Sequence, residues 1–171
     1  MLAFIDALIV PAALLAALGC GVIGGVFFAF STFVMQALER LEAHSGLAAM
    51  QSINVVVLNP LFLGAFLGSG ALCVLLIAGA LLRWQMSGAG WLLIGGGLYL
   101  VGNVVVTSAC NVPLNDALAR LDPSAASSAA AWQRYVVEWT RWNHVRTVTA
   151  LAAAASFIVF LCRCAAARAV A

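Results

Sequence analysis

The sequence predicts an all-α fold: a polytopic membrane four-helix bundle with an extra interfacial helix and an extended fourth helix. Hydrophobic residues make up 65% of the chain and charged residues 8%, whereas a soluble domain carries about 25% charged residues. Mean hydropathy is +1.09. The apolar residues gather into four runs, near 8–35, 60–82, 91–110 and 143–162, each long enough to cross a hydrocarbon core of about 30 Å. The 171 residues read as a single membrane domain, 1–171. A net charge of +2 with no basic run argues against nucleic acid as a partner and leaves the lipid bilayer as the main one.

The first span runs from about Leu8 to Met35. Asp6 is its only preceding charge, and the run exceeds the 7–15 residues usual for a signal-peptide core, so it is expected to be retained. Gly21 and Gly25 have the small-residue spacing that lets membrane helices approach closely. Phe27, Phe28, Phe30 and Phe33 at its end could line a pocket for a flat ligand. Residues 37–58 then carry Glu39, Arg40, Glu42 and His44, followed by Met50, Gln51, Asn54 and Val57 on one helical face. They are expected to form an interfacial or shallow re-entrant helix that brings Gln51 and Asn54 towards the bundle.

Asn59-Pro60 restarts the chain, with proline suited to a first helical turn, and the second span continues to Leu82. A short connection from Arg83 to Gly90 makes the second and third spans antiparallel neighbours. In the third span, Gly95, Gly96 and Gly97 form a close-packing patch. Asn103, Thr107 and Asn111 recur at i, i+4 and i+8 and make a polar stripe. Because an unbonded amide in hydrocarbon is costly, the stripe must face protein, water or ligand, interhelical bonding being its plainest role. Pro113 is expected to break the helix and leave Asn111-Val112-Pro113-Leu114-Asn115-Asp116 as a turn at the membrane edge. Asp122-Pro123-Ser124 is a second turn before the long fourth helix.

That fourth helix carries the densest chemistry. Trp132, Tyr135, Trp139, Trp142, Asn143 and Arg146 fall within about 80° of one face, with Arg134 and Arg141 pointing away. The MQSIN segment, the second half of the third span and the head of the fourth end at one membrane face. They bring Gln51, Asn54, Asn111, Asn115, Trp139, Asn143 and Arg146 together. An ionisable residue inside a span is a functional-site hypothesis by default, against which stands snorkelling to the interface. Amides with one guanidinium can hold a phenolate, enolate or quinone oxygen, and indole faces can stack on a planar ring. The expected assignments are Arg146, Asn143, Asn111 and Asn115 as catalytic, with Trp139, Trp142, Asn54 and Gln51 binding an apolar aromatic small molecule. Asp116 is the nearest carboxylate in sequence; His44 is a further candidate base, and His144 falls off the face.

Two histidines and five cysteines show no ligand spacing, so no metal site is expected, and the cysteines read as small apolar residues. No cofactor is expected; haem stays open through His44 or His144 as an axial ligand. No glycine-rich phosphate loop occurs.

GGVFFAFSTFVMQAL (24–38), AAMQSINVVVLNP (48–60), NVPLN (111–115) and Trp132 with WTRWNHVRT (139–147) together resemble the anthrone oxygenase-like family of small integral membrane proteins. The resemblance implies a four-helix membrane fold and, for characterised members, oxidation of an anthrone to an anthraquinone by O₂ without an evident cofactor. A non-enzymatic membrane protein binding a quinone, lipid, polyketide or haem is the alternative. Arg83, Arg163 and Arg168 on the terminal side face Arg40, Arg120, Arg134, Arg141 and Arg146 on the other, where five acids offset them. By the positive-inside rule the termini are expected in the cytoplasm, with the protein in a bacterial inner membrane.

Overall fold

A computed structural model describes the backbone of residues 2–170 and the side chains of residues 8–167; the side chains of Asp6 and Arg168 lie outside the described residues. Helix α1 (Leu2–Ala29) passes through a π-helical turn at Phe30–Val34 into α2 (Met35–Glu39). In chain order α3 (Ala43–Val56) follows this continuous helix and precedes α4 (Pro60–Leu82). α5 (Ala89–Tyr99) continues through π-helical turns at Leu100–Val105 and Thr107–Asn111 into α6 (Val112–Ala119), and α7 (Ser128–Val170) closes the chain. Four stretches are long and apolar enough to cross a membrane: Leu8–Glu39, Pro60–Leu82, Ala89–Ala119 and Ser128–Ala167. The protein is an all-α membrane bundle.

Local chemistry sets the boundaries. Asn59 caps α4, its Oδ1 accepting from the N–H groups of Leu61 (3.1 Å) and Phe62 (3.0 Å), and Pro60 occupies the first turn, where its missing donor costs nothing. The Ser124 hydroxyl (2.6 Å) and N–H (2.9 Å) both donate to Asp122 Oδ1. These bonds hold the Asp122 carboxyl below the usual aspartate range. A depressed pKa means the turn is fully supported at neutral pH and loses that support as pH falls through the lowered value.

The third span differs from its expectation. The chain does not turn at Pro113; it remains helical from Ala89 to Ala119. The two π-helical turns immediately upstream widen the helix where the proline ring would press on the preceding carbonyls and where its absent N–H leaves a ladder acceptor unpaired. The expected free carbonyls at the membrane edge are therefore replaced by a wider helix.

α7 is the hub. It packs along α1 and α5 through its C-terminal half and on α3 and α6 through its N-terminal half. Two apolar cores result. One joins α1, α4, α5 and α7 around Ile23, Leu76, Tyr99 and Phe157; the other joins α2, α3, α6 and the head of α7 around Met35, Met50, Leu118 and Trp132. Between them α7 carries the buried polar residues Asn143, Arg146 and Thr147.

The close approaches fall at glycines other than the Gly21/Gly25 pair, whose added Cβ atoms would meet nothing; both lie towards the outer side of α1. At Gly102 a Cβ would collide with the Thr149 side chain, so α7 touches backbone there. Gly95 and Gly96 are likewise pressed against Phe157 and Ile77, as their patch predicted, while Gly97 is open. Gly102→Ala should therefore destabilise the bundle by about 1–3 kcal/mol, the usual cost of overpacking, while Gly21→Ala leaves it unchanged. Thermal unfolding in detergent checks the pair, and equal melting points for both variants would contradict this packing.

Candidate functional site

The face of α7 predicted from its periodicity is the face it buries. Trp132, Tyr135, Trp139, Asn143 and Arg146 are each 5% exposed or less. Arg146 is held on all sides. Its Nη2 donates to Asn143 Oδ1 at 2.8 Å and its Nη1 to Thr107 Oγ1 at 3.3 Å. Its guanidinium carbon lies 4.1 Å from the Phe27 ring centroid and 5.0 Å from that of Trp139. Among the described residues no carboxylate lies within ion-pair distance of it, and its Nε has no hydrogen-bond partner. An ion buried without a counter-charge costs several kcal/mol even after relaxation. Two cation–π contacts, each worth about 2 kcal/mol when desolvated, and the two hydrogen bonds offset part of that and leave the charge uncompensated.

π-helical turns supply part of what holds Arg146: Thr107 directly, and Ser31 by way of Asn143. Asn143 Nδ2 donates to the Phe27 carbonyl (2.7 Å) and to Ser31 Oγ (2.8 Å), and Ser31 also meets Thr147 Oγ1 at 2.9 Å. Ser31 lies in the turn Phe30–Val34, and Asn103, Thr107 and Asn111 lie in the turns Leu100–Val105 and Thr107–Asn111. A π-helical turn takes an extra residue per turn and rotates the helix downstream of it. These polar side chains reach α7 as a result: Asn103 meets Thr149 at 3.1 Å, and Asn111 Nδ2 donates to the Trp139 carbonyl at 3.3 Å.

Above Arg146 an aromatic ladder climbs α7. Trp132 and Tyr135 stack at 5.7 Å, Tyr135 and Trp139 at 6.3 Å, and Phe30 tilts against Trp139 at 5.6 Å. Asn115 Oδ1 accepts from both Tyr135 Oη and Trp139 Nε1, each at 2.9 Å, which ties α6 to the ladder. Gln51 Nε2 donates to the carbonyls of Leu118 (2.9 Å) and Leu121 (3.0 Å), satisfying free acceptors at the end of α6.

These elements enclose a cavity of about 450 Å³ bounded by α1, α3, α4, α6 and α7. Phe27, Phe30, Phe62, Phe66, Met50 and Trp139 give it flat apolar walls, and its polar lining is Gln51, Asn54, Thr107, Asn115, Asp116 and Arg146. Phe62 and Phe66 stack at 6.1 Å, and Phe27 meets Phe66 edge-on at 6.5 Å. The Asn54 amide nitrogen is buried beside this lining without a hydrogen-bond partner.

Of the residues proposed from sequence, Arg146, Trp139, Asn115, Asn54 and Gln51 line this one cavity. Asn143 stands behind Arg146 and fixes its orientation. Asn111 packs on the main chain of Trp139 and does not line the cavity. Trp142 is 38% exposed and points off the buried face. Phe28 and Phe33 face outward, unlike Phe27 and Phe30. His44 and His144 are both exposed and neither lines the cavity. Among the described residues no group of three His, Cys, Asp or Glu could hold a metal, and all five cysteines are free.

Sequence reasoning missed Ser31 and the role of Thr107, because π-helical turns displace both from an ideal 100° register. It also passed over Phe62 and Phe66. Their i, i+4 spacing on the first turns of α4 puts them on one face and was available as a signal.

Asn115→Leu removes the acceptor shared by Tyr135 and Trp139. Leaving buried donors unpaired costs about 1–3 kcal/mol each, so the melting point should fall clearly, whereas Trp142→Phe should leave it unchanged. Thermal unfolding of the two variants followed by circular dichroism checks this, and a silent Asn115→Leu would show that the shared acceptor does not support the ladder.

A family model described as anthrone oxygenase matches residues 61–156, more than half of the 171-residue chain. The matched stretch includes NVPLN and WTRWNHVRT, and with them Asn115, Asn143 and Arg146; the motifs at 24–38 and 48–60 lie before it. No curated protein and no solved structure matches the chain. With the matched residues supplying one long wall of the cavity and the cation within it, the chain belongs to the anthrone oxygenase family.

Proposed function

We propose that the protein is a membrane oxygenase that binds a planar phenolic or polycyclic substrate in the Arg146 cavity and oxidises it with O₂. One observation carries the reading: a buried guanidinium, with no carboxylate partner among the described residues, lines an aromatic-walled cavity. A neutral ligand leaves that charge uncompensated, whereas an enolate or phenolate compensates it. Fixed donors in a site screened from water stabilise developing negative charge far better than water does.

For an anthrone the chemistry balances without a bound cofactor. Loss of a proton from the ring methylene gives the enolate, whose oxygen Arg146 would hold. The enolate gives up an electron to O₂, and the resulting carbon and superoxide radicals combine to a peroxide anion, which takes back the proton that the base removed. Loss of water then leaves the quinone carbonyl, so that anthrone and O₂ become anthraquinone and water. Asp116 is the carboxylate among the lining residues and would accept the proton. Phe27, Phe66 and Trp139 would stack on the rings, and Asn143 would act as a positioning residue for Arg146.

A second reading is a carrier that binds such a compound without turning it over. It is favoured by the structural hydrogen bonds that already occupy Gln51 Nε2 and Asn115 Oδ1, which leave few polar groups for chemistry. Oxygen uptake by purified protein supplied with an anthrone separates the two. The oxygenase reading expects uptake that Arg146→Ala lowers by at least about a hundredfold, the scale of a lost oxyanion donor, with the variant still folded. Asp116→Asn should slow turnover with a smaller effect. Absence of uptake, with binding retained and dependent on Arg146, would select the carrier. A visible absorbance spectrum of the purified protein would reveal haem.

A further inference from the structure

The cavity has a deep end and an open one, and the open end does not face water alone. Phe27, Met50, Phe66, Trp139 and Arg146 form its buried wall. Its exposed lining residues are Val55, Leu58, Leu67, Val112, Asp116 and Ala119, so the opening lies between α4 and α6, under the corner where α3 passes into α4. α4 packs on α1 and α5 and makes no extensive contact with α6. This leaves a gap in the bundle wall at the level of the cavity.

Helical rise gives the depth of that gap. Leu67 lies seven residues into α4 from Pro60, and Val112 seven residues before Ala119, so each is about 10 Å inside the end of its helix at 1.5 Å per residue. α4 spans 23 residues, about enough to cross a 30 Å hydrocarbon core, which puts its first residue near the membrane edge. The lower rim of the opening, Leu67 (57% exposed), is then among acyl chains, whereas Val112 (42% exposed) lies level with Pro60 at the membrane edge, because Gly96 meets Ile77 and Gly70 meets Val104 across the antiparallel pair. Asp116 and Ala119 at the upper rim sit at the headgroup level.

We propose that the ligand enters the cavity sideways from the bilayer, through the gap between α4 and α6, with Leu67 as its threshold. This rests on the reading that the Arg146 cavity is a binding site. The ligand class is a compound that first partitions into the leaflet, keeps its apolar rings among the acyl chains, and carries an oxygen to Arg146. Freely water-soluble anions of similar charge are disfavoured because they must cross that apolar rim. Asp116 adds a like charge at the headgroup end that repels them.

The test is stopped-flow quenching of tryptophan fluorescence in proteoliposomes, with 9,10-anthraquinone as the probe and the saturable component taken as site binding. Narrowing the threshold with Leu67→Phe should slow association and dissociation together by about tenfold, equivalent to a 1.4 kcal/mol higher barrier. Widening it with Leu67→Ala should speed both. Ala119→Phe, at the headgroup rim, should slow both far less than Leu67→Phe does. Unchanged rates in Leu67→Phe and Leu67→Ala, or slowing by Ala119→Phe alone, would overturn lateral loading. Arg146→Ala separates the two claims. Equal affinity of the unaltered protein and Arg146→Ala for 2-hydroxyanthraquinone as its phenolate sinks the oxyanion reading, while the threshold variants still decide the route with the neutral probe. No saturable binding by the unaltered protein would overturn both.

Discussion

A guanidinium buried in a membrane bundle with no carboxylate beside it is the constraint on which this structure turns. Arg146 must be oriented, because a mobile cation would draw water or lipid headgroups inward. The fold orients it with Asn143, Thr107 and two aromatic faces. Asn143 is in turn fixed by the Phe27 carbonyl and Ser31, and Trp139 by Asn115. Three of the four helical spans therefore converge on one side chain, and the two apolar cores lie on either side of that polar layer. The arrangement leaves positive charge at a cavity wall, which is a poor choice for stability alone and a sound one for binding an oxyanion.

The fold was largely legible because membrane physics is blunt. Runs of apolar residues, Asn59-Pro60 at the start of α4, and the glycine patch at Gly95 and Gly96 each have one sensible structural meaning, and the bundle has them where expected. Trp139, Asn143 and Arg146 were readable as one face because α7 is a regular helix through that region. The rest was not readable for a single reason. Ser31, Thr107 and the stretch around Pro113 sit in or beside π-helical turns, which no 100° projection reproduces. The same turns explain why Pro113 lies within a continuous helix rather than at a break. The Gly21/Gly25 spacing misled because small-residue spacing says that a close approach is allowed, not that one is made; Gly102 makes it instead.

Asn111 and Trp142 show the limit of reasoning from one helix face. Asn111 has the right register on the third span, yet its amide is spent on the Trp139 carbonyl, so it supports the ladder from behind. Trp142 projects about 20° beyond Tyr135 and falls at the edge of the buried arc. That small rotation carries it from cavity to periphery. Phe62 and Phe66, from a span with no charged or amide residue to draw attention, supply much of the flat wall.

Charge stabilisation by Arg146 is the central claim, and the most direct test is spectroscopic. 2-Hydroxyanthraquinone changes colour when its phenol ionises. Bound to the protein at a pH where the free phenol is neutral, it should show the phenolate band, and the band should vanish in Arg146→Gln while binding persists. A bound ligand that stays neutral, or a phenolate band unchanged in Arg146→Gln, would contradict the account.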